Sequence, residues 1–189
     1  MKKKLKITFN APVVLTFALV CLVALILSFI TFGASNKLLF MTYRSSLLSP
    51  LTYLRLFTHV LGHSSWAHFI GNMSYILLLG PMLEEKYGSS EITWIIVVTA
   101  LVTGIVNCLF FPLTALCGAS GVVFAFILLT SFTGFKQGEL PVSVILVALI
   151  YIGQQVYDGL FVQDNISNLS HIIGGLVGAV IGYRLNKKR

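Results

Sequence analysis

Six apolar runs, at roughly 11–33, 66–83, 91–112, 118–134, 141–160 and 168–185, constrain this chain more than any other feature. A bilayer-spanning helix needs about 20 predominantly apolar residues, with about 17 the lower limit, and every run falls within or close to that range. Only 10% of the 189 residues are charged, against about 25% in ordinary soluble domains. A soluble domain of this length could not hide so much apolar surface, so lipid is the natural solvent. The expected fold is an all-α membrane protein, with six transmembrane helices forming a single domain over 1–189.

The first run follows Met1-Lys2-Lys3-Lys4-Leu5-Lys6 and could be mistaken for a signal peptide. Its apolar core of about 20 residues exceeds the 7–15 of a signal h-region, so it reads as a retained helix. Lys2, Lys3, Lys4 and Lys6 precede the first run, and Arg184, Lys187, Lys188 and Arg189 follow or close the sixth. Lys86 lies between the second and third runs, and Lys136 between the fourth and fifth. Six spans would put these residues on one side, leaving Lys37, Arg44 and Arg55 on the other. The positive-inside rule then places both termini in the cytoplasm. The net charge of +7 reflects membrane orientation, and no nucleic acid partner is expected.

Cys21 lies mid-run, while Cys108 and Cys117 flank a short loop where strict disulfide geometry argues against a bridge. No Cys–His set has metal-ligand spacing, so neither a metal nor another cofactor is expected. The stretch 34–65 is too apolar for a solvated loop, with Leu38, Leu39, Phe40, Leu47, Leu48, Leu51, Leu54, Leu56 and Phe57. It is expected to lie in or on the outer leaflet.

Ionisable residues inside a spanning helix cost about 2.5–3.5 kcal/mol on insertion scales, so each needs a reason. His68 and His171 lie near the starts of the second and sixth runs, and Ser120 opens the fourth. With the N-terminus inside, these runs all travel from outside to inside. The three side chains therefore fall at a similar shallow depth, as a site requires. Singly, each has a plainer reading: a serine that packs or bonds its own backbone, a histidine that reaches interfacial water. Gly174, Gly178 and Gly182 follow His171 at spacings of four, a small-residue stripe that lets two helices approach closely. Gly118 and Gly121 flank Ser120 and permit the same closeness.

These residues resemble the rhomboid intramembrane serine proteases over nearly the whole chain. Gly118-Ala119-Ser120-Gly121 fits that family's Gly-x-Ser-Gly nucleophile motif, and His171-Ile172-Ile173-Gly174 with Gly178 fits its histidine motif. His68-Phe69-Ile70-Gly71-Asn72 fits its His-xxx-Asn oxyanion pattern. Three motifs in order on alternate runs are far more specific than Gly-x-Ser-Gly alone. Arg55, His59, His63 and Glu84 also match family positions, and the resemblance implies structural roles for them. Phe124 departs from the pattern, standing where well-known members carry a tyrosine beneath the histidine. It can stack on His171 but cannot donate a hydrogen bond.

The resemblance implies a six-helix rhomboid bundle with a membrane-associated first outer loop. It implies Ser120 as nucleophile and His171 as general base and then acid, with no carboxylate to complete a triad. Asp158 and Asp164 are poorly placed for that part. The oxyanion would be held by His68, Asn72 and the Ser120 N–H, where one donor is typically worth about 2.7–4 kcal/mol. Expected substrates are single-span membrane proteins cut near the outer face. Minimal loops fit a bacterial plasma-membrane enzyme. The alternative is a catalytically weak or inactive rhomboid-like chaperone or adaptor, although such relatives usually lack the serine or the histidine. A transporter would show broken helices or midplane charges. A zinc protease would show His-Glu-x-x-His, and an aspartyl protease a second intramembrane aspartate. None of these features is found.

Overall fold

The computed structural model describes residues 8–134, 139, 141–161 and 168–187. Lys2, Lys3, Lys4, Lys6, Lys136, Asp164, Lys188 and Arg189 lie outside the described residues, as does the side chain of Asp158. The described helices are α1 (Pro12–Ile30), α2 (Pro50–Thr58), α3 (Trp66–Tyr87), α4 (Ser89–Phe110), α5 (Ser120–Ser131), α6 (Val142–Phe161) and α7 (Asn168–Lys187). Among the described residues there is no strand, only one antiparallel bridge between Thr42 and Leu116.

Helix ends follow local chemistry more than hydropathy. Pro12 and Pro50 open α1 and α2, where a missing N–H costs nothing. Helix α3 continues through Glu84, Glu85 and Lys86 to Tyr87, past the apolar run, and stops at Gly88 with φ +94°. Helix α5 has only 12 residues, fewer than the apolar run around it. The stretch 34–65 is itself largely helical: a π-helical turn at Asn36–Phe40, then α2, then a 3-10 turn at His59–Leu61.

Helix α5 is the centre of the bundle, with Val122, Val123, Ala125, Phe126, Ile127, Leu128 and Leu129 all buried. A Cβ added to Gly174 would lie 2.9 Å from the Gly121 Cα, and one on Gly178 would lie 2.6 Å from the Ala125 Cα. Gly182 repeats the closeness with Leu129 at 3.2 Å. The paired positions ascend together, so α5 and α7 run parallel in near backbone contact. Helix α3 packs on α5 in the same sense, with Gly118 against His68 and Asn72, and Gly80 against Phe126.

The outer surfaces are apolar: Leu19, Val23, Ile26 and Ile30 of α1 are exposed, as are Leu146, Leu149 and Ile150 of α6. Helices α1 and α4 are each long and apolar enough to cross a membrane. The buried Glu84 carboxylate accepts the N–H groups of Val13 and Val14, both at 3.0 Å, and the Ser89 hydroxyl at 2.7 Å. One side chain thus satisfies two orphan donors of α1 and braces the α3–α4 turn.

Candidate active site

Ser120 is the first residue of α5, so its N–H has no acceptor within its own helix and lies at the positive end of the helix dipole. Its side chain is half-buried between the buried Ala119 and Gly121. The irregular segment that delivers it is pinned by backbone and side-chain bonds. Gly118 N–H donates to the His59 carbonyl at 2.9 Å, and Leu116 exchanges two backbone bonds with Thr42. Asn107 adds a bond from Nδ2 to the Thr114 carbonyl at 3.0 Å.

Gly118 has φ +128°, a conformation that L side chains rarely adopt. A Cβ there would sit 2.6 Å from His68 Nε2 and 3.6 Å from Asn72 Nδ2. The backbone just before Ser120 therefore rests directly on the two α3 side chains. His68 and Asn72 share one face of α3, being four residues apart. The Ser65 hydroxyl caps α3 by accepting the His68 N–H at 3.1 Å, and the Ser64 hydroxyl lies 3.2 Å from His68 Nδ1.

Asn72 is buried, and its Nδ2 lies 3.1 Å from His63 Nε2. His63 belongs to the connection between the 3-10 turn and α3, and it is fully buried. Burial, with His68 nearby, pushes its pKa down to about 4. A neutral ring whose Nδ1–H donates to the Leu61 carbonyl, 3.2 Å away, presents a lone pair at Nε2. That lone pair accepts one Asn72 amide hydrogen and leaves the second directed elsewhere. His59 is likewise buried and pushed down to about 4 by desolvation. Its Nε2 lies 3.3 Å from the Thr103 hydroxyl.

His171 is the fourth residue of α7. Phe124, one turn after Ser120, lies flat on it with ring centroids 4.6 Å apart and 7° between planes. Tyr151 of α6 meets Phe124 edge-on at 5.9 Å. His171 Nδ1 lies 2.6 Å from Gln155 Oε1, also on α6. The close approach of Gly121 to Gly174, with the Ser170 carbonyl 3.7 Å from a Cβ placed at Gly121, brings Ser120 and His171 to the same end of the α5–α7 contact.

The parallel helices thus bring Ser120, His171, His68 and Asn72 to one level. Arg55 and Glu84 sit elsewhere. Arg55 is buried in the 34–65 segment, bonding Leu51 O at 3.0 Å, Ser45 Oγ at 3.1 Å and the Tyr43 hydroxyl, with its guanidinium over the Tyr43 ring. Glu84 lies sixteen residues along α3 from His68, about 24 Å at 1.5 Å per residue. All three cysteines are free thiols. Among the described residues no group of three or more His, Cys, Asp or Glu is placed to hold a metal.

Gln155, Tyr151 and the hold of His63 on Asn72 were not legible as site features from motif spacing. In the structure Val144, Ala148, Tyr151 and Gln155 form one inward stripe at helical spacing, and only the rotation of α6 shows that the amide lies on it.

An all-helical bundle with an apolar exterior and a polar cluster at one end defines a class of helical integral membrane proteins. A family model described as the Rhomboid domain matches residues 50–188. The chain belongs to the rhomboid family. It is 30% identical over 139 residues to Rhomboid protease GlpG of Haemophilus influenzae, covering 71% of each chain. It is 28% identical over 156 residues to mouse Rhomboid-related protein 2, covering 71% of this chain and 51% of that one. Rhomboid protease GlpG of Salmonella paratyphi A matches at 29% over 133 residues, 68% of this chain and 47% of the relative. The chain therefore spans about half the length of the mouse and Salmonella relatives.

Proposed function

We propose that this protein is an intramembrane serine endopeptidase in which Ser120 and His171 act as a dyad on transmembrane protein substrates. The observation that carries this reading is the meeting, at the start of α5, of three parallel helices. Helix α3 supplies His68 and Asn72, α5 supplies Ser120, and α7 supplies His171 on a ring of Phe124. Ser120 Oγ attacks the scissile carbonyl while its proton passes to His171 Nε2. The C–N bond then breaks and the same proton goes to the leaving amine. Water, activated by His171, hydrolyses the acyl-enzyme and frees Ser120. His68, Asn72 and the Ser120 N–H are the donors for the oxyanion.

Six spans, with both termini cytoplasmic in a bacterial plasma membrane, put this cluster near the outer face. The placement of Lys86 and Arg184 opposite Lys37, Arg44 and Arg55 supports that orientation. Twelve helical residues make α5 about 18 Å long, against a hydrocarbon core of about 30 Å. The irregular 111–119 segment then enters the membrane, where such backbone is tolerated only if it is buried in protein or lines a wet cavity. Both conditions suit hydrolysis of a single-span substrate whose helix unwinds near its outer end.

The decisive experiment is fluorophosphonate labelling of the detergent-solubilised chain, with Ser120→Ala and His171→Ala beside the wild type. Labelling of the wild type alone is the expected result. Equal labelling of Ser120→Ala would remove the nucleophile assignment. A folded wild type that stays unlabelled, beside a labelled active rhomboid protease, would favour a non-proteolytic chaperone or adaptor.

A further inference from the structure

Helix α6 turns an apolar stripe of Val144, Val147, Ala148 and Tyr151 toward the bundle, and Gln155 continues that stripe while only 8% exposed. A primary amide in such a place is costly unless its polar atoms are bonded. Its carbonyl oxygen, Oε1, lies 2.6 Å from His171 Nδ1. A carbonyl oxygen only accepts, so Nδ1 must carry the hydrogen, and the imidazole lone pair then stands on Nε2. That is the tautomer a general base needs if it is to take a proton through Nε2. When the ring becomes imidazolium, the same Nδ1–H···O bond becomes charge-assisted and strengthens. Phe124 holds the plane of the ring but has no polar atom with which to choose between its nitrogens.

We propose that Gln155 is a positioning residue for His171: its side-chain carbonyl fixes the imidazole tautomer and rotation and steadies the imidazolium. This rests on the Ser120–His171 reading. Gln155 occupies the place that a carboxylate takes in a three-residue serine hydrolase site, with a neutral acceptor in place of a charged one. A neutral acceptor suits its buried position, because no unpaired charge is placed among apolar side chains.

The test uses the full chain in detergent and the rate of inactivation by a fluorophosphonate, which needs no known substrate. In that step the Ser120 Oγ–P bond forms, the P–F bond breaks, fluoride leaves and the hydroxyl proton passes to His171. Gln155→Met keeps the volume and removes the acceptor. Its maximal inactivation rate should fall roughly ten- to a hundredfold, the usual effect of losing a hydrogen bond to a charged group. The probe concentration for half-maximal rate should stay within about twofold, because positioning of the base leaves ground-state binding alone. Gln155→Glu restores an acceptor, so it should label faster than Gln155→Met. Its carboxylate should also move the acid limb of the rate–pH profile to higher pH by favouring the imidazolium.

A Gln155→Met protein with the wild-type rate and profile would overturn the proposal. So would equal losses in both variants with the acid limb unmoved, which is what a purely structural role gives. If Gln155→Met fails to fold, the position of the acid limb in Gln155→Glu decides alone. Wild-type labelling that persists in Ser120→Ala would instead sink the Ser120–His171 reading itself, a result distinguishable from failure at Gln155.

Discussion

Phe124 and His171 face each other ring to ring across the α5–α7 contact, with 4.6 Å between centroids and 7° between planes. The stack comes from two helices held together by glycines, so the imidazole plane is set by the tightest packing in the bundle. Tyr151 closes the far edge of Phe124 and restrains that ring in turn.

Removing the ring should therefore loosen the base. Phe124→Ala is expected to slow fluorophosphonate labelling roughly two- to twelvefold, the rate equivalent of an aromatic pair worth about 0.5–1.5 kcal/mol. Phe124→Tyr keeps the stack and should label at least as fast as the wild type. Labelling rates that are identical in all three proteins would show that the stack does not orient His171.

The glycine stripe of α7 makes a differential prediction for stability. A Cβ on Gly178 would come within 2.7 Å of the Ala125 carbonyl carbon, whereas one on Gly175 would meet only Leu128, at 3.5 Å. Overpacking of the first kind typically costs about 1–3 kcal/mol, and each kcal/mol lowers Tm by about 2–4 °C in a chain of this size. Gly178→Ala should melt several degrees below the wild type in detergent. Gly175→Ala should melt at the wild-type temperature or up to about 4 °C above it, because ordinary contact is no penalty and alanine favours helix by about 1 kcal/mol. Equal melting temperatures for the two variants would contradict the close approach of α5 and α7.

Stability should also depend on pH through His59 and His63, which lie outside the spanning helices and are both pushed down to about 4 by burial. An unfolded histidine titrates near 6.5, so between about 6.5 and 4 the unfolded chain binds protons that the folded chain refuses. The stability they allow is fully present above about 6.5 and falls as pH drops toward 4. Melting in detergent should be nearly constant from pH 8 to 7 and decline from 6.5 to 5, a window above most carboxylate titration. A flat Tm from pH 7 to 5 would mean that neither ring is held neutral in the fold.

Much of the candidate site was legible because its residues break the apolar pattern. Ser120, His68 and His171 each lie at or near the start of an apolar run, and the glycines around them recur at helical spacing. Gln155 was harder to see, since a polar residue near the outer end of a run reads as one reaching for water. Only the rotation of α6 turns it inward, and a hydropathy pattern does not report that rotation. His63 posed the opposite difficulty. It was visible as a histidine of the outer segment, but its bond to Asn72 joins a connection to a helix face nine residues away.

The sequence by itself determined the solvent, the helical class and the order of the motif-bearing helices. Lipid leaves few ways to satisfy a backbone, and long apolar runs choose the helix among them. Tertiary structure decided that His171 Nδ1 meets the Gln155 side-chain oxygen of α6. It also decided that Gly118 rests on His68 and Asn72, and that α5 begins at Ser120. These depend on helix rotation, a positive φ and contacts between residues far apart in the chain. Such contacts are selected by packing of the whole bundle, and no local spacing rule encodes them.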